Sequence, residues 1–451
     1  MIKFPYGRRD FYELITEKYL YVDRTHYIRF VEEWGKELLF LRPRRFGKSL
    51  WLSTLMNYYD IAKADEFEHL FGHLTIGQNP TPLHNQYMIM RWDFSRSQSH
   101  GSIEQIERAL HNQLNVQIQK CQRTYAAFLA DQVDIYVDDS LSSFYSLLSI
   151  IQTAGHKLYL FIDEYDNFAN EVMTGSQGHN QQRYIDLVKG EGMFKSLFKN
   201  IKGAAGEGLD RVFVTGVSPV VMNDVTSGAN VFEDITWNGN LNDLCGFTDA
   251  EVHNWVDQIV DYCELPSSQV HEIMGQMENF YNGSRFVTRV PGMVLQDVPK
   301  VYNPTLTFYF LKELQANCLY PEEMLDGNLE PDGNKLRYAS SHLSGKQLLM
   351  DALAGQTEVA FSELRRRFGI QEMLNPDKQA ERLAILLYYL GVLTVAGNTD
   401  KGKVILEIPN LVIRKLYAER LLEMMVKSGG DKYQASRLAA DALFDYNDRS
   451  T

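Results

Sequence analysis

Short apolar runs alternating with amphipathic stretches organise the first half of the chain. Glu37-Leu38-Leu39-Phe40-Leu41, Tyr87 to Phe94, Lys157 to Glu164, Arg211 to Thr215 and Val231 to Trp237 read as five strands. They are brief, rich in aliphatic and aromatic residues and bounded by polar ones, as expected of strands buried on both faces. Between them, Ser102 with Gln105 three positions on forms a capping box. Ile103, Ile106, Leu110, Leu114 and Ile118 follow at helical spacing. Leu141 to Ile151 predicts a further helix. Strands alternating with helices imply an α/β fold whose parallel sheet is covered by helices on both faces. The stretch from Asn170 to Glu191, with Gly175, Gly178 and Gly190, reads as a mobile surface loop beside the catalytic edge.

Beyond Trp237 the pattern changes. Asn242 to about Leu314 is helical, with a capped start over Phe247-Thr248-Asp249-Ala250-Glu251-Val252, and is expected to form a helical lid. Helical stretches at 345–354, 362–368 and 378–390 then precede a hairpin. In it, Leu393-Thr394-Val395 and Val404-Ile405-Leu406 flank the turn residues Gly397 to Gly402. A last helix from Leu411 to about Met425 completes a winged-helix-like module. The expected division is an α/β domain over 1–240, a helical lid over 241–330 and the winged-helix-like end over 331–451.

The chemistry lies at the ends of the strands. Directly after the first comes Arg42-Pro43-Arg44-Arg45-Phe46-Gly47-Lys48-Ser49, followed by the helical Leu50-Trp51-Leu52. A strand, a tight loop ending Gly-Lys-Ser and a helix cradle a nucleotide triphosphate. Loop N–H groups and the positive helix end meet the phosphates, Lys48 reaches the β and γ oxygens, and the Ser49 hydroxyl ligates Mg²⁺. Arg44, Arg45, Phe46, Gly47, Lys48, Ser49 and Leu50 are therefore the candidate nucleotide contacts. Arg42 stands where the first glycine of the usual loop pattern belongs.

The strand at 157–164 ends in Asp163-Glu164. Asp163 is placed to hold Mg²⁺ through water, and Glu164 to polarise the water that attacks the γ-phosphate. Thr215 ends the next strand, where a hydroxyl can sense the γ-phosphate or the attacking water; an ordinary strand-end threonine is the alternative. Glu164, Lys48 and Thr215 are the candidate catalytic residues, with Ser49 and Asp163 the candidate metal ligands.

These motifs resemble the AAA-ATPase-like family, divergent P-loop ATPases of bacteria and archaea. The resemblance runs through Phe4-Pro5-Tyr6-Gly7, Tyr21 to Thr25, the 42–49 block as Walker A and Asp163-Glu164-Tyr165-Asp166 as Walker B. It continues through Val214 to Pro219, Cys245-Gly246-Phe247-Thr248, Tyr281 to Phe286, Tyr302-Asn303-Pro304 and Ile408-Pro409-Asn410. It implies ATP rather than GTP as the nucleotide, and makes Arg285 the candidate phosphate-sensing arginine; an ordinary surface arginine is the other reading. The family's usual C-terminal nuclease-like domain of the PD-(D/E)-x-K type has no matching residues after Asn410, so a separate nuclease partner or a longer natural chain is expected to supply it.

Composition narrows the classes. The chain has 451 residues, 45% hydrophobic and 23% charged, ordinary for a globular protein of two or three domains. No apolar run is long enough to cross a bilayer and the N-terminus lacks a secretion signal, so the expected location is cytoplasmic with no membrane contact. Cys121, Cys245, Cys263 and Cys318 show neither a disulfide framework nor zinc spacing and read as structural thiols in a reducing compartment. A net charge of −13 argues against a protein that coats nucleic acid over its whole surface. Arg365-Arg366-Arg367 offers one local basic face.

The function that follows is an Mg²⁺-dependent ATPase coupling hydrolysis to conformational change, in DNA processing or host defence. The alternative is a slowly or non-hydrolysing nucleotide-gated switch that binds DNA or a protein partner through its C-terminal module. Oligomerisation is compatible with either.

Overall fold

The computed structural model describes residues 1–98, 101–167, 184, 186–188, 192–226, 232–287, 293, 295–325, 348, 351–353, 359–361, 369, 379–399, 404–416 and 418. The chain divides between Thr236 and Trp237 into two compact units.

The first unit opens with helices α1 (Phe11–Thr16), capped by the Asp10 carboxylate, and α2 (Tyr27–Trp34). Strand β1 (Glu37–Leu41) leads into α3 (Lys48–Tyr59), and two short helices follow, α4 (Phe67–Phe71) and α5 (Thr75–Gln78). Next come β2 (Met88–Asp93), α6 (Ile103–Thr124), α7 (Ser140–Thr153) and β3 (Leu158–Asp163). The unit closes with α8 (Met193–Gly203), β4 (Leu209–Gly216), α9 (Val220–Thr226) and β5 (Glu233–Asp234).

The five strands form one sheet in the order β2-β3-β4-β1-β5, with every pairing parallel. Every residue of β3 is buried, which requires cover on both faces of the sheet. The Ser102–Gln105 capping box opens α6, and Ile106, Leu110, Leu114 and Ile118 are buried along it. Strand β4 lies between β1 and β3, so its carboxyl end falls between the 42–49 loop and the acidic strand end.

Two expectations for this unit need correction. The fifth strand spans two residues, not Val231 to Trp237. The Asp234 carboxylate accepts the Thr236 N–H, and the Thr236 hydroxyl takes the Leu41 N–H, so side chains replace the backbone ladder there. Most of the expected loop at 170–191 lies outside the described residues, but Tyr184 and 186–188 are helical. Tyr184, Leu187 and Val188 stand at helical spacing and are buried, and the Tyr184 hydroxyl donates to Asp224.

In the second unit, helices α10 (Asp249–Tyr262), α11 (Gln269–Tyr281) and α12 (Pro304–Asn317) occupy the expected helical stretch. A Thr248–Glu251 capping box starts α10, and Asn303 caps α12 with Pro304 in its first turn. Further on, β6 (Val359–Phe361), α13 (Gln379–Tyr389), β7 (Thr394–Asn398) and β8 (Val404–Glu407) follow, and the strands form an antiparallel sheet in the order β6-β8-β7. The two expected strands pair as a hairpin, with β7 running on through Gly397 and Asn398, which were expected in the turn; 400–403 lie outside the described residues. The stretch 362–368, most of 345–354 and Arg365-Arg366-Arg367 lie outside the described residues.

The reading of four unpaired cysteines also needs correction. Cys263 and Cys318 form a disulfide, while Cys121 and Cys245 are buried thiols outside it. Cys263 ends α10 and Cys318 ends α12, and packing of these helices brings their Cα atoms to 5.5 Å, within bridging range. Among the described residues, no helix is long and apolar enough to cross a membrane.

Candidate functional site

The candidate phosphate-binding loop, 42–49, begins where β1 runs out. Arg42, in the place of the usual glycine, is 1% exposed and turns back onto the strand. Its Nη1 donates to Leu41 O at 2.9 Å and Thr236 O at 2.8 Å, and its guanidinium carbon lies 4.4 Å from the Phe40 ring centroid. This arginine ties the loop's root to the sheet. Arg44 and Arg45 are exposed and Phe46 is buried. Arg45 and Gly47 both hold left-handed backbone, at φ 68° and 96°.

Gly47 is the N-cap of α3 and supplies no side-chain cap, so the first-turn N–H groups have no side-chain acceptor from that position. A Cβ built on Gly47 would meet no atom within 4 Å, so open space lies over the loop. Lys48 begins the helix, buried, with Nζ donating to Arg42 O and Pro43 O at 3.0 Å each. Ser49 and Leu50 complete the first turn, half-buried.

The acidic strand end faces this loop. Glu164 Oε1 lies 4.0 Å from Lys48 Nζ, and Glu164 holds φ 52°, a left-handed conformation that a non-glycine residue adopts at a cost. Burial raises the Glu164 pKa, with the Asp166 and Asp163 charges adding to the shift and Lys48 and Arg44 opposing it. Asp163 is fully buried at the end of β3. Its Oδ2 accepts from Arg91 Nη2 at 2.5 Å, and its Oδ1 has no partner among the described residues.

Thr215 is also fully buried, and its hydroxyl likewise has no partner there. Ile162 pairs with Val214, so Asp163 and Thr215 each stand one residue further along adjoining strands, on one sheet face. Two unpartnered buried oxygens thus end neighbouring strands. Such groups are costly unless something polar meets them.

Side chains beyond the expected set hold these pieces together. Arg44 Nη2 donates to Asn167 Oδ1 at 2.7 Å, joining loop to acidic segment. Asp166 accepts the backbone N–H groups of Val217 and Ser218, joining the segments after β3 and β4. Arg91, which pairs with Asp163, was discoverable only as a charge inside an otherwise apolar strand. Arg285 belongs to the second unit, 7% exposed, with Nε donating to Val298 O at 2.8 Å and Nη1 to Ala396 O at 3.1 Å.

The arrangement brings a helix N-terminus, a buried ammonium and two acidic side chains to one edge of a parallel sheet. It suits an anion beside a divalent cation. The unpartnered Asp163 Oδ1 is an oxygen donor of the kind that Mg²⁺ and its water shell require, and Ser49 stands on the first turn of α3 as the second candidate ligand.

Three comparisons with known proteins bear on the chain to different degrees. The AAA-ATPase-like family model, described as a predicted AAA-ATPase, matches residues 5–226. An uncharacterized protein in the vnfD 5′ region of Azotobacter chroococcum mcd 1 is 25% identical over 283 residues, covering 62% of this chain and 48% of that protein. The chain therefore matches about half the length of that relative. Among solved structures, Cdc6p from Pyrobaculum aerophilum covers 92% of this chain and 98% of its own at 10% identity, with a TM-score of 0.30. The Aeropyrum pernix Orc1 protein, solved in complex with DNA, covers 93% and 98% at 11% identity, also with a TM-score of 0.30. Likeness of that size carries no weight for function. The parallel sheet and the family match agree on the first unit, and over residues 5–226 the chain is similar to the AAA-ATPase-like family.

Proposed function

We propose that the chain binds ATP at the 42–49 loop and hydrolyses it with Mg²⁺, coupling turnover to a conformational change in its C-terminal part. The observation that carries this reading is the pair of buried oxygens, Asp163 Oδ1 and Thr215 Oγ1, that end adjoining strands with no partner among the described residues. In the proposed chemistry, backbone N–H groups at the start of α3 and the Lys48 ammonium hold the β and γ phosphates. Glu164 orients and polarises the attacking water, and Thr215 hydrogen-bonds that water or the γ-phosphate. Mg²⁺, held by Ser49 and through water by Asp163, would neutralise charge developing on the phosphates. Arg44, Arg45, Phe46, Gly47 and Leu50 complete the nucleotide contacts.

The same proposal assigns 1–240 to the NTPase domain, 241–330 to a helical lid and 331–451 to a winged-helix-like module that contacts DNA or protein. It places the protein in the cytoplasm, in DNA processing or host defence, with a separate or appended nuclease. Steady-state hydrolysis by the purified chain, with and without single- and double-stranded DNA, tests it. Mg²⁺-dependent release of phosphate supports the enzyme, stimulation by DNA supports the DNA contact, and no release in either condition removes the hydrolytic claim.

One observation favours a second reading, a nucleotide-gated switch with slow or absent turnover. The Arg285 guanidinium is held by carbonyls of its own unit. A charge supplied in cis or in trans to the γ-phosphate changes turnover by about 10³ to 10⁵ fold. ATP binding without measurable hydrolysis in the same assay selects this reading.

A further inference from the structure

We propose that Arg91 is a positioning residue of the nucleotide site, fixing the Asp163 carboxylate in the orientation that leaves Oδ1 without a protein partner and so available to the metal–nucleotide complex. The inference rests on the nucleotide reading above. It starts from an asymmetry: Asp163 is fully buried, one oxygen accepts from Arg91 at 2.5 Å and the other has no partner among the described residues. A buried carboxylate needs a counter-charge. A counter-charge placed on one oxygen alone also decides which oxygen is left for another ligand.

Arg91 is held to that task by a second carboxylate. Strand β2 pairs with β3 so that Asp93 stands directly beside Asp163, and Arg91, two residues before Asp93, shares its sheet face. The same Nη2 reaches Asp93 Oδ2 at 3.1 Å. Asp93 is itself anchored, its Oδ1 accepting the Ser95 N–H at 3.0 Å and its carbonyl accepting from Gln113 of α6 at 2.6 Å. The guanidinium therefore bridges two carboxylates in register, one anchored and one facing the site. Arg91 touches neither water nor phosphate in this scheme and acts through Asp163.

A merely structural arginine would lower stability without altering how the nucleotide depends on its metal. The test is therefore a comparison of ATP affinities, by titration calorimetry on the full chain, in Mg²⁺ and in a chelator. In the wild type, Mg²⁺ is expected to tighten ATP binding. Arg91→Met should lose that metal-dependent gain by about tenfold or more, the usual effect of removing a group that orients a metal ligand, while the affinity in chelator stays at the wild-type value. Arg91→Lys keeps the charge but not the planar fork, so it should fall between the two. It carries the test if the Met variant fails to fold.

Variants with the wild-type Mg²⁺ gain, or with equal losses in Mg²⁺ and in chelator, overturn the inference while leaving the nucleotide reading standing. A wild type whose ATP affinity ignores Mg²⁺ overturns the metal site itself, and the role of Arg91 falls with it.

Discussion

The Asp166 carboxylate accepts the backbone N–H of Ser218 at 2.9 Å, binding the segment after the acidic strand to the segment after its neighbour. Its other oxygen takes the Val217 N–H at 3.0 Å, and the Tyr165 hydroxyl donates to Ser218 O. Gly216 lies in the same joint, where an added Cβ would stand 2.5 Å from Asp166 Oδ1 and 2.6 Å from the Tyr165 ring. Glu164 and Thr215 therefore keep their places through one small set of buried contacts.

Asp166→Ala should uncover two buried N–H groups, each costing about 1–3 kcal/mol. Gly216→Ala should displace the same acidic segment by steric overlap. Denaturant unfolding should show an early transition in both variants, and ATP hydrolysis should fall in both although neither residue is assigned a contact with ATP. Full wild-type hydrolysis in both would separate this joint from the site.

Lys48→Ala and Glu164→Gln divide binding from turnover. The ammonium at 48 is buried and is assigned to the β and γ phosphates, and a charge-assisted hydrogen bond contributes about 1.5–3 kcal/mol, so calorimetry should show affinity falling by roughly 10- to 150-fold. Glu164→Gln keeps shape and hydrogen bonding but loses the charge that polarises water. ATP affinity should survive while single-turnover hydrolysis collapses. Hydrolysis at the wild-type rate would make Glu164 a structural residue, held near Lys48 at 4.0 Å for packing alone.

The disulfide offers a test that does not involve nucleotide. Cys263 and Cys318 are 55 positions apart, and closing a loop of that size removes about 4 kcal/mol of chain entropy from the unfolded state. Cys263→Ser, or reductant added to the wild type, should lower the thermal midpoint of the second unit. The variant should no longer respond to reductant. The bond also bears on location, because disulfides are rare where glutathione keeps thiols reduced. Thiol counting on protein isolated under alkylating conditions would decide whether it forms in the cell; two additional free thiols there would favour the cytoplasmic placement.

Local signals made much of this molecule legible and long-range ones did not. The β1–loop–α3 unit, the Ser102 and Thr248 capping boxes and the β7–β8 hairpin were readable because neighbouring residues determine each. The pairing of Arg91 with Asp163 spans 72 positions, and only strand order makes them neighbours. Helices α1 and α2 were not anticipated, being short and held by distant partners such as the Ser53 hydroxyl, which accepts the Phe11 N–H. The cysteine pair was missed because its spacing matches no framework; it forms where two helix ends meet. Arg42 departs from the loop pattern yet proves interpretable, since its side chain replaces sequence-local geometry with bonds to Leu41 and Thr236.

The later family-like tripeptides, weak singly, form one joint in the second unit. Phe247 pairs with Tyr302 and Ser284 with Val301, while Asn410 Nδ2 donates to Asn282 O at 2.8 Å. Gly283 holds φ 112°, and a Cβ there would overlap the carbonyl of Pro409. Gly283→Ala therefore meets both left-handed strain and a backbone atom that cannot rotate away. The expected loss is roughly 3 kcal/mol or more, since overpacking alone costs about 1–3 and left-handed backbone about 1–2. Eight positions earlier, Gly275 sits within α11 with open space where its Cβ would be. Gly275→Ala should stabilise by about 0.5–1 kcal/mol, the ordinary helix preference for alanine. Urea unfolding of the two variants side by side should move the midpoint of this unit in opposite directions. A Gly283→Ala midpoint equal to the wild type would mean that the segment around Pro409 yields freely, and the joint would then contribute no rigidity to the unit.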